Sequence, residues 1–533
     1  MAPTRSAAYL AASGWLYDRI DYERLGKSGA NYRFTLDRMR ELVLRLGHGR
    51  CLAPNSSAAQ GSLANADCDP GHGGPVGGGK APRQPRPRIV HIAGTKGKGS
   101  VASMVASLLT ASGAKVGLYT SPHLVDLSER FRVDGQPATP GELVALIESF
   151  KPIVDAMSSE PVGGPSFFEL TTAIAIEHFH RSGCDYWVME TGLGGRLDST
   201  NVFQSDVTVI TSIGLDHQHV LGDTVEKIAK EKAGIFKPGV PAISGVTRES
   251  VKEVIRQQAR EVGCELAELE RDFQVQTISA IPWGSHFAWA PCADRGRASA
   301  EEAVAEEANM PEASATEANL KEVSAQGASG GPFGAIEVRL AVEGQHQVRN
   351  AALAIAAVRE LEVPVTPRMI DRLSVLRIDA RLERFVANSG AAVVLDAAHN
   401  PDSIAALLDT LQRRCAGRRI VGVFGTSVDK DAAAMLGQLK QSFTRVVFTR
   451  YHQNPRFVST GELADAAGEE LRDVWFSIQE EPLEACRQAI CEAGPDGVVV
   501  ICGSFFLAAE VRPWLVKAVD FQSSSAEPVA TKP

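Results

Sequence analysis

The sequence predicts an α/β chain built from two domains. Residues 1–378 read as a P-loop ATPase-like domain with a mostly parallel sheet, 379–384 as an interdomain linker, and 385–533 as a smaller Rossmann-like α/β domain. Three observations predict this. Arg88–Leu109 runs from an apolar strand through a glycine loop with a lysine into an amphipathic helix. Strand and helix then alternate to about residue 234, the pattern of parallel strands with helices on both faces. A second alternation begins near 385, with strands near 391–395, 419–424, 445–449 and 497–502.

Taken in order, residues 6–47 read as helices, with Leu36, Met39, Val43 and Leu46 on one face. Residues 7–16 have the look of a signal-peptide core, but Asp18, Arg19, Asp21 and Glu23 follow at once, and an amphipathic helix is the better reading. Residues 52–87 are rich in Gly, Pro, Ala and Ser and read as a flexible insertion. Ile89–Ala93 is a buried strand, and Gly94, Gly97 and Gly99 make the turn after it. Val101, Met104, Val105, Leu108 and Leu109 then form the apolar stripe of a helix that Gly113 stops.

A strand at Lys115–Thr120 ends in Ser121-Pro122-His123, and helices follow over 141–157 and 168–181. Tyr186–Met189 is a strand delivering Glu190 and a glycine-rich turn. Val207–Ile213 is a strand delivering Asp216 and His217. Residues 223–234 form a helix containing Lys230, Glu231 and Lys232. Residues 293–331 carry eight acidic residues against three basic ones with almost no aromatics, and read as a second insertion in a β-rich stretch. Residues 345–361 are helical, and the first strand of the second domain ends in Asp396, shortly before His399.

The chain has 533 residues, 44% apolar and 22% charged, as in ordinary globular proteins. A net charge of −9 gives no case for nucleic-acid or membrane binding. Nine cysteines without a C-x-x-C pair point to reduced thiols and a cytoplasmic location. Nothing in the sequence calls for an oligomer, and a monomer is expected.

Glycines that turn N–H groups towards an anion, a helix N-terminus and Lys98 together make a phosphate cradle. Strict Walker spacing is not met, because Ile92 stands where the first glycine belongs and Gly99 follows the lysine. A carboxylate at a neighbouring strand end suggests Mg-nucleotide binding. Alone, Glu190 reads equally as a capping or structural residue, and His217 alone reads as a structural histidine.

The motifs GTKGKGS, TSPHL with Arg130 in an ER pair, ETGLGGRLDSTN, GLDHQHVLG, EKAGIFKPG, GQHQVRNA and LDAAHNP occur in that order. Together they resemble folylpolyglutamate synthase and the related dihydrofolate synthase, ATP-dependent amide synthetases of the Mur ligase family. The resemblance spans about residues 8–515. It implies that ATP phosphorylates a folate carboxylate and that the amine of L-glutamate displaces phosphate, whether the acceptor is dihydropteroate, a reduced folate or both.

By the same resemblance, Gly94, Thr95, Lys96, Gly97, Lys98, Gly99 and Ser100 cradle ATP, with Asn350, Arg381 and Asp396 near the nucleotide. Ser121, Glu190, His217 and Lys232 match Mg²⁺-binding positions, with two metal sites and room for a monovalent cation. Lys98, Glu190, His217, Lys232 and His399 take catalytic roles. Asp198, His399 and Ser504 match substrate positions: Asp198 for the pterin, His399 and Ser504 for glutamate. Ser504 reads equally as a helix N-cap.

Asp379-Ala380 stand where the family often has Pro-Gly before the arginine, and Ala397 replaces a common glycine. The rival readings are a cell-wall Mur ligase acting on a UDP-sugar peptide, and a non-catalytic nucleotide-binding relative. TSPHL and GGRLDSTN speak against the first, and the joint presence of Lys98, Glu190, His217 and Lys232 against the second.

Overall fold

The computed structural model describes residues 6–19, 35–54, 86–279, 281, 283–292, 335–468, 472, 474–517 and 521–523. The whole of the expected insertion at 293–331, and residues 55–85 of the one at 52–87, lie outside them.

The first sheet has eight strands in the order β4-β3-β2-β5-β1-β6-β7-β8. Its centre is β1 (Arg88–Ala93), between β5 (Tyr186–Glu190) and β6 (Val207–Ile210), with β2 (Val116–Tyr119), β7 (Ala242–Ser244) and β8 (Leu266–Glu268) also parallel. The short β3 (Phe131–Val133) and β4 (Gln136–Pro137) extend one edge antiparallel. A strand buried on both faces carries a continuous apolar run, and Ile89, Val90, Ile92 and Ala93 are all at most 1% exposed.

On one face, helix Lys98–Ala111 packs with Gln345–Glu360 and Pro367–Leu373, burying Val101, Met104, Val105 and Leu108. On the other, helices Ala7–Tyr17, Asp37–Arg45, Pro140–Ser158 and Phe167–Arg181 share a second core with Phe150, Phe179 and Trp187. The last two of these helices open with reciprocal capping boxes, Thr139 with Glu142 and Ser166 with Glu169, which satisfy otherwise orphaned N–H groups.

The β-rich stretch is a separate antiparallel sheet, β9 (Phe273–Ser279), β10 (Ser285–Pro291) and β11 (Ile336–Leu340), which adds Phe287, Trp289, Val338 and Leu340 to the first core. The second domain is a seven-stranded sheet in the order β16-β15-β14-β17-β13-β12-β18. β13 (Ala392–Leu395), β14 (Ile420–Phe424), β15 (Arg445–Phe448), β16 (Phe476–Ile478) and β17 (Val498–Cys502) are parallel. β12 (Glu383–Ala387) and β18 (Phe521–Ser523) close one edge antiparallel.

Three details depart from the sequence reading. β6 stops at Ile210 and not at Ile213, because Thr211 and Ser212 leave the ladder to hold the phosphate loop: Thr211 Oγ1 donates to Lys96 O (2.6 Å) and Thr95 N–H to Ser212 O (2.7 Å). β12 begins at Glu383, inside the expected linker, after a tight turn with φ of 50° at Ala380 and 49° at Leu382. Ala380 therefore takes the left-handed conformation that a glycine would adopt freely, at a cost of about 1–2 kcal/mol for an L-residue. β18 was not foreseen; three residues next to a polar tail carry no strand pattern.

Candidate active site

Sheet register brings the site together. Ile92 pairs with Glu190 and Ala93 with Ile210, so the glycine loop, Glu190 and the Thr211–His217 segment all leave the same, C-terminal end of the sheet. Gly94 can have no side chain, since a Cβ would stand 1.9 Å from Thr211 Oγ1. Its carbonyl is the focus of the loop: Lys98 Nζ donates to it at 3.2 Å and Lys232 Nζ at 3.0 Å. Two amines on one carbonyl oxygen concentrate positive charge at the start of helix Lys98–Ala111, where the backbone already favours anions.

Lys232 is buried, 4% exposed, so it is not in a surface ion pair; those of its helix are made by Glu231 with Arg196 (3.0 Å) and Lys227 with Asp223 (2.8 Å). Burial, then repulsion from Lys98, brings the Lys232 amine down to about 7. Glu190 lies against the first turn of the helix, its Oε2 3.3 Å from where a Cβ of Gly99 would be. That oxygen also accepts from Ser121 N–H at 3.0 Å. Burial pushes the Glu190 carboxyl up to about 7, against Lys98, the Ser121 N–H, Arg381 and Arg130.

Gly97 starts the helix with φ of 87°, and a Cβ there would stand 2.5 Å from Asn350 Oδ1. Asn350 lies on helix Gln345–Glu360 and donates to Gln347 Oε1 of the same helix (3.0 Å), which holds its amide in place beside the loop. Gly97→Ala is therefore expected to displace the loop and weaken ATP-analogue binding about tenfold, the effect of about 1.4 kcal/mol of strain transferred to the bound state. Isothermal titration with AMPPCP measures it, and unchanged affinity would remove Gly97 from the cradle.

His217 is placed differently. It sits on a turn with φ of 50°, its side chain open to solvent on one side and crowded by protein on the other, beside Asp216, which lies 3.5 Å from Lys96 Nζ. Burial and the charges of Lys98, Lys232 and Lys430 outweigh Asp216 and hold the imidazole below its usual range. Among the described residues, no three His, Cys, Asp or Glu side chains are gathered to hold a metal. Ser121 and Glu190, which are in contact, still offer the hard oxygen donors that suit Mg²⁺. A divalent cation would also supply the charge that the buried Glu190 lacks, so these two residues fit the ion.

Asp198 is held by four donors. Its Oδ2 accepts from Gly192 and Leu193 N–H (both 2.9 Å), and its Oδ1 from Thr200 N–H (3.0 Å) and the Thr200 hydroxyl (2.5 Å). In this arrangement it shapes the loop after Glu190. Gly195 of that loop leaves no room for a side chain beside the Lys232 carbonyl, 2.6 Å from where its Cβ would be.

The second domain contributes from the ends of its own parallel strands. Asp396 is buried and holds the entry turn, accepting from Leu382 N–H and Ala398 N–H (both 2.8 Å). Burial raises its carboxyl, while Arg381 opposes the rise. His399 Nδ1–H donates to Ala397 O (2.8 Å), which fixes the tautomer and leaves Nε2 as an acceptor. Burial and the positive charge of Lys96 hold its ring at about 4. Ser504 is buried and accepts from Phe506 N–H (3.1 Å), a helix-capping bond, and it also bonds the Tyr451 hydroxyl. Ala397 is accommodated without glycine, its N–H donating to Ala380 O.

Two charged groups have no role in the sequence reading of the site, although Arg130 stands in one of its motifs. Arg130, 1% exposed, donates to His123 Nδ1 at 2.8 Å and bears on Glu190. Lys430, just past β14, bears on Lys96, Asp216, His217 and His399. It follows the end of a parallel strand, the rule that located the other residues, and its signal was available.

Comparison with known proteins places this geometry. The Mur ligase middle domain matches residues 165–358, and the Mur ligase glutamate ligase domain matches residues 380–505. The folylpolyglutamate synthase of Lacticaseibacillus casei is 31% identical over 439 residues, covering 81% of this chain and 91% of its own. The chain belongs to the folylpolyglutamate synthase family. A second member, the dihydrofolate synthase/folylpolyglutamate synthase of Bacillus subtilis, is 29% identical over 513 residues, 95% of this chain and 98% of its own. The Mycobacterium tuberculosis folylpolyglutamate synthase, solved with ADP and AMPPCP, superposes with a TM-score of 0.72 at 28% identity, covering 96% of this chain and 98% of its own. As in such synthases, a mostly parallel sheet is followed by a separate α/β domain. No described helix is long and apolar enough to cross a membrane.

Proposed function

We propose that this chain is an ATP-dependent ligase that adds L-glutamate to dihydropteroate, to reduced folates, or to both. The observation that carries the reading is the pair of lysine amines on the Gly94 carbonyl, with Glu190 against the same helix turn. A nucleotide's terminal phosphates have their countercharge there before they arrive. Residues 379–384 are taken as the division between the two domains that enclose the reaction.

A folate carboxylate oxygen attacks the γ-phosphorus of ATP, the bond to the β-phosphate oxygen breaks, and ADP leaves. The amine of glutamate then attacks the acyl carbon, the C–N bond forms, the C–O bond breaks, and inorganic phosphate departs with its oxygen. One proton is lost from the amine. The carboxylate becomes reactive because its oxygen leaves as phosphate. Lys98 faces the charge on the transferring group, Lys232 shares its anchor on the Gly94 carbonyl, and His399 presents Nε2 from the other domain to orient the incoming amine. Mg²⁺ would be held by Ser121 and Glu190, with His217 from the adjacent turn, and would neutralise phosphate charge when bound.

Isotope transfer tests the chemistry. Folate substrate carrying ¹⁸O in its carboxylate is expected to pass one label to inorganic phosphate. Label found in AMP would overturn the acyl-phosphate route. Running dihydropteroate and tetrahydrofolate separately, with labelled glutamate, decides the acceptor.

A further inference from the structure

Helix Pro401–Arg414 is pinned at both ends. At its start, Asn400 and Ser403 cap each other, and His399 N–H donates to Ser403 Oγ at 3.0 Å. At its end, Arg414 leaves its own domain. Its Nε and Nη2 donate to Glu343 Oε1 (3.0 and 2.9 Å), Nη1 to Ile281 O (2.6 Å) and Nη2 to Gly284 O (2.9 Å). Glu343 is 5% exposed, and its other oxygen accepts from Gly284 N–H at 2.6 Å. These partners belong to the first domain, where Ile281 and Gly284 lie between β9 and β10. Trp283 of the same turn packs against the core of the second domain, under Arg384 at 4.6 Å.

A second attachment lies at the connector. Arg512 donates to Glu383 (2.7 Å) and Asp379 (2.6 Å), Arg132 approaches Asp379 (3.7 Å), and Leu124 enters the second domain's core. A rigid body tethered at two separated places keeps one easy motion, rotation about the line between them.

We propose that Arg414 is a positioning residue for the reaction. With Glu343, Ile281 and Gly284 it forms a brace that fixes the far end of the helix following His399 and confines domain closure to rotation about the line from brace to connector. The helix has 14 residues, so the brace acts from about 20 Å away. Four charge-assisted bonds from one arginine make a stiff joint, and Met at 414 or Gln at 343 cannot reproduce it. The catalytic role rests on the ligase reading above; the brace itself does not.

Two measurements test it. Spin labels at Leu44→Cys and Val474→Cys, exposed on opposite domains, report the interdomain distance in a background with Cys68, Cys264, Cys292 and Cys491 replaced by serine. Arg414→Met and Glu343→Gln are each expected to broaden that distribution and to lessen its narrowing on addition of AMPPCP. Arg414→Met is also expected to lower kcat about tenfold or more, since small misplacements of reacting groups cost that much. AMPPCP affinity should change less than about threefold, because the phosphate loop lies wholly in the first domain. If Arg414→Met does not fold, Arg414→Lys and Glu343→Gln carry the test. Unchanged distance distributions would overturn the brace whatever the enzyme's activity. Equal losses in kcat and AMPPCP affinity would overturn the positioning role.

Discussion

Glu190→Gln is expected to lose at least about a hundredfold in kcat while raising the melting temperature of the ligand-free protein. The activity loss is on the scale of removing one preorganised electrostatic partner at a reacting phosphate. The stability gain follows from the buried charge. Glu190 is 4% exposed, and its carboxyl stands at about 7 in the folded protein against an ordinary 4.5. A carboxyl raised on folding binds its proton more tightly in the native state, so its ionisation costs stability as pH rises from about 4.5 through about 7. Glutamine has no proton to lose there. The melting temperatures of variant and wild type should agree near pH 4, diverge between pH 5 and 7 and stay apart above it. Adding Mg²⁺ and ATP should stabilise wild type more than the variant. Thermal denaturation across that range is the check, with steady-state kinetics beside it. Near-normal turnover at ordinary Mg²⁺ would move Glu190 out of the metal site, and coincident melting curves at pH 8 would show that its charge is compensated.

The fold was legible because its signals are local and strong. The β1 run and the stripe from Val101 to Leu109 agree with each other and with the sheet they build. The site was legible as a set of residue positions, since polar residues cluster after strand ends, but not as a geometry. No spacing rule shows that Lys98 and Lys232 meet on one carbonyl, because they are 134 residues apart and joined only by the sheet. Asp198 shows the converse. Its motif points to a pterin contact and does not show that four donors of its own loop hold the carboxylate. The strained turn at Ala380 was visible only as a missing glycine, and the partners of Arg414 not at all, since helix-end arginines are common and usually solvated.

Lys232→Arg is expected to bind ATP and turn over at least about a hundredfold more slowly than wild type. The expectation rests on carbamylation of Lys232 by CO₂, and the structure gives the buried amine what that chemistry needs. Attack on CO₂ requires a neutral nitrogen, and burial with repulsion from Lys98 places Lys232 at about 7, so much of it is neutral at cellular pH. In the reaction, the nitrogen lone pair forms a bond to carbon, one carbonyl pair becomes a carboxylate oxygen, and the ammonium-derived proton leaves to solvent. A cation 3.0 Å from the Gly94 carbonyl thereby becomes an anion that can face Lys98, Lys96 and a metal ion. Arginine keeps the positive charge and cannot form the carbamate, which separates charge from modification. After equilibration with ¹³C-bicarbonate, wild type should show a carbamate resonance that Lys232→Arg lacks. Its intensity should grow from pH 6 to pH 8, because a lysine lowered on folding loses its proton across that window. Full activity in Lys232→Arg, together with no resonance in wild type, would leave Lys232 as a buried cation that serves the phosphates by charge alone.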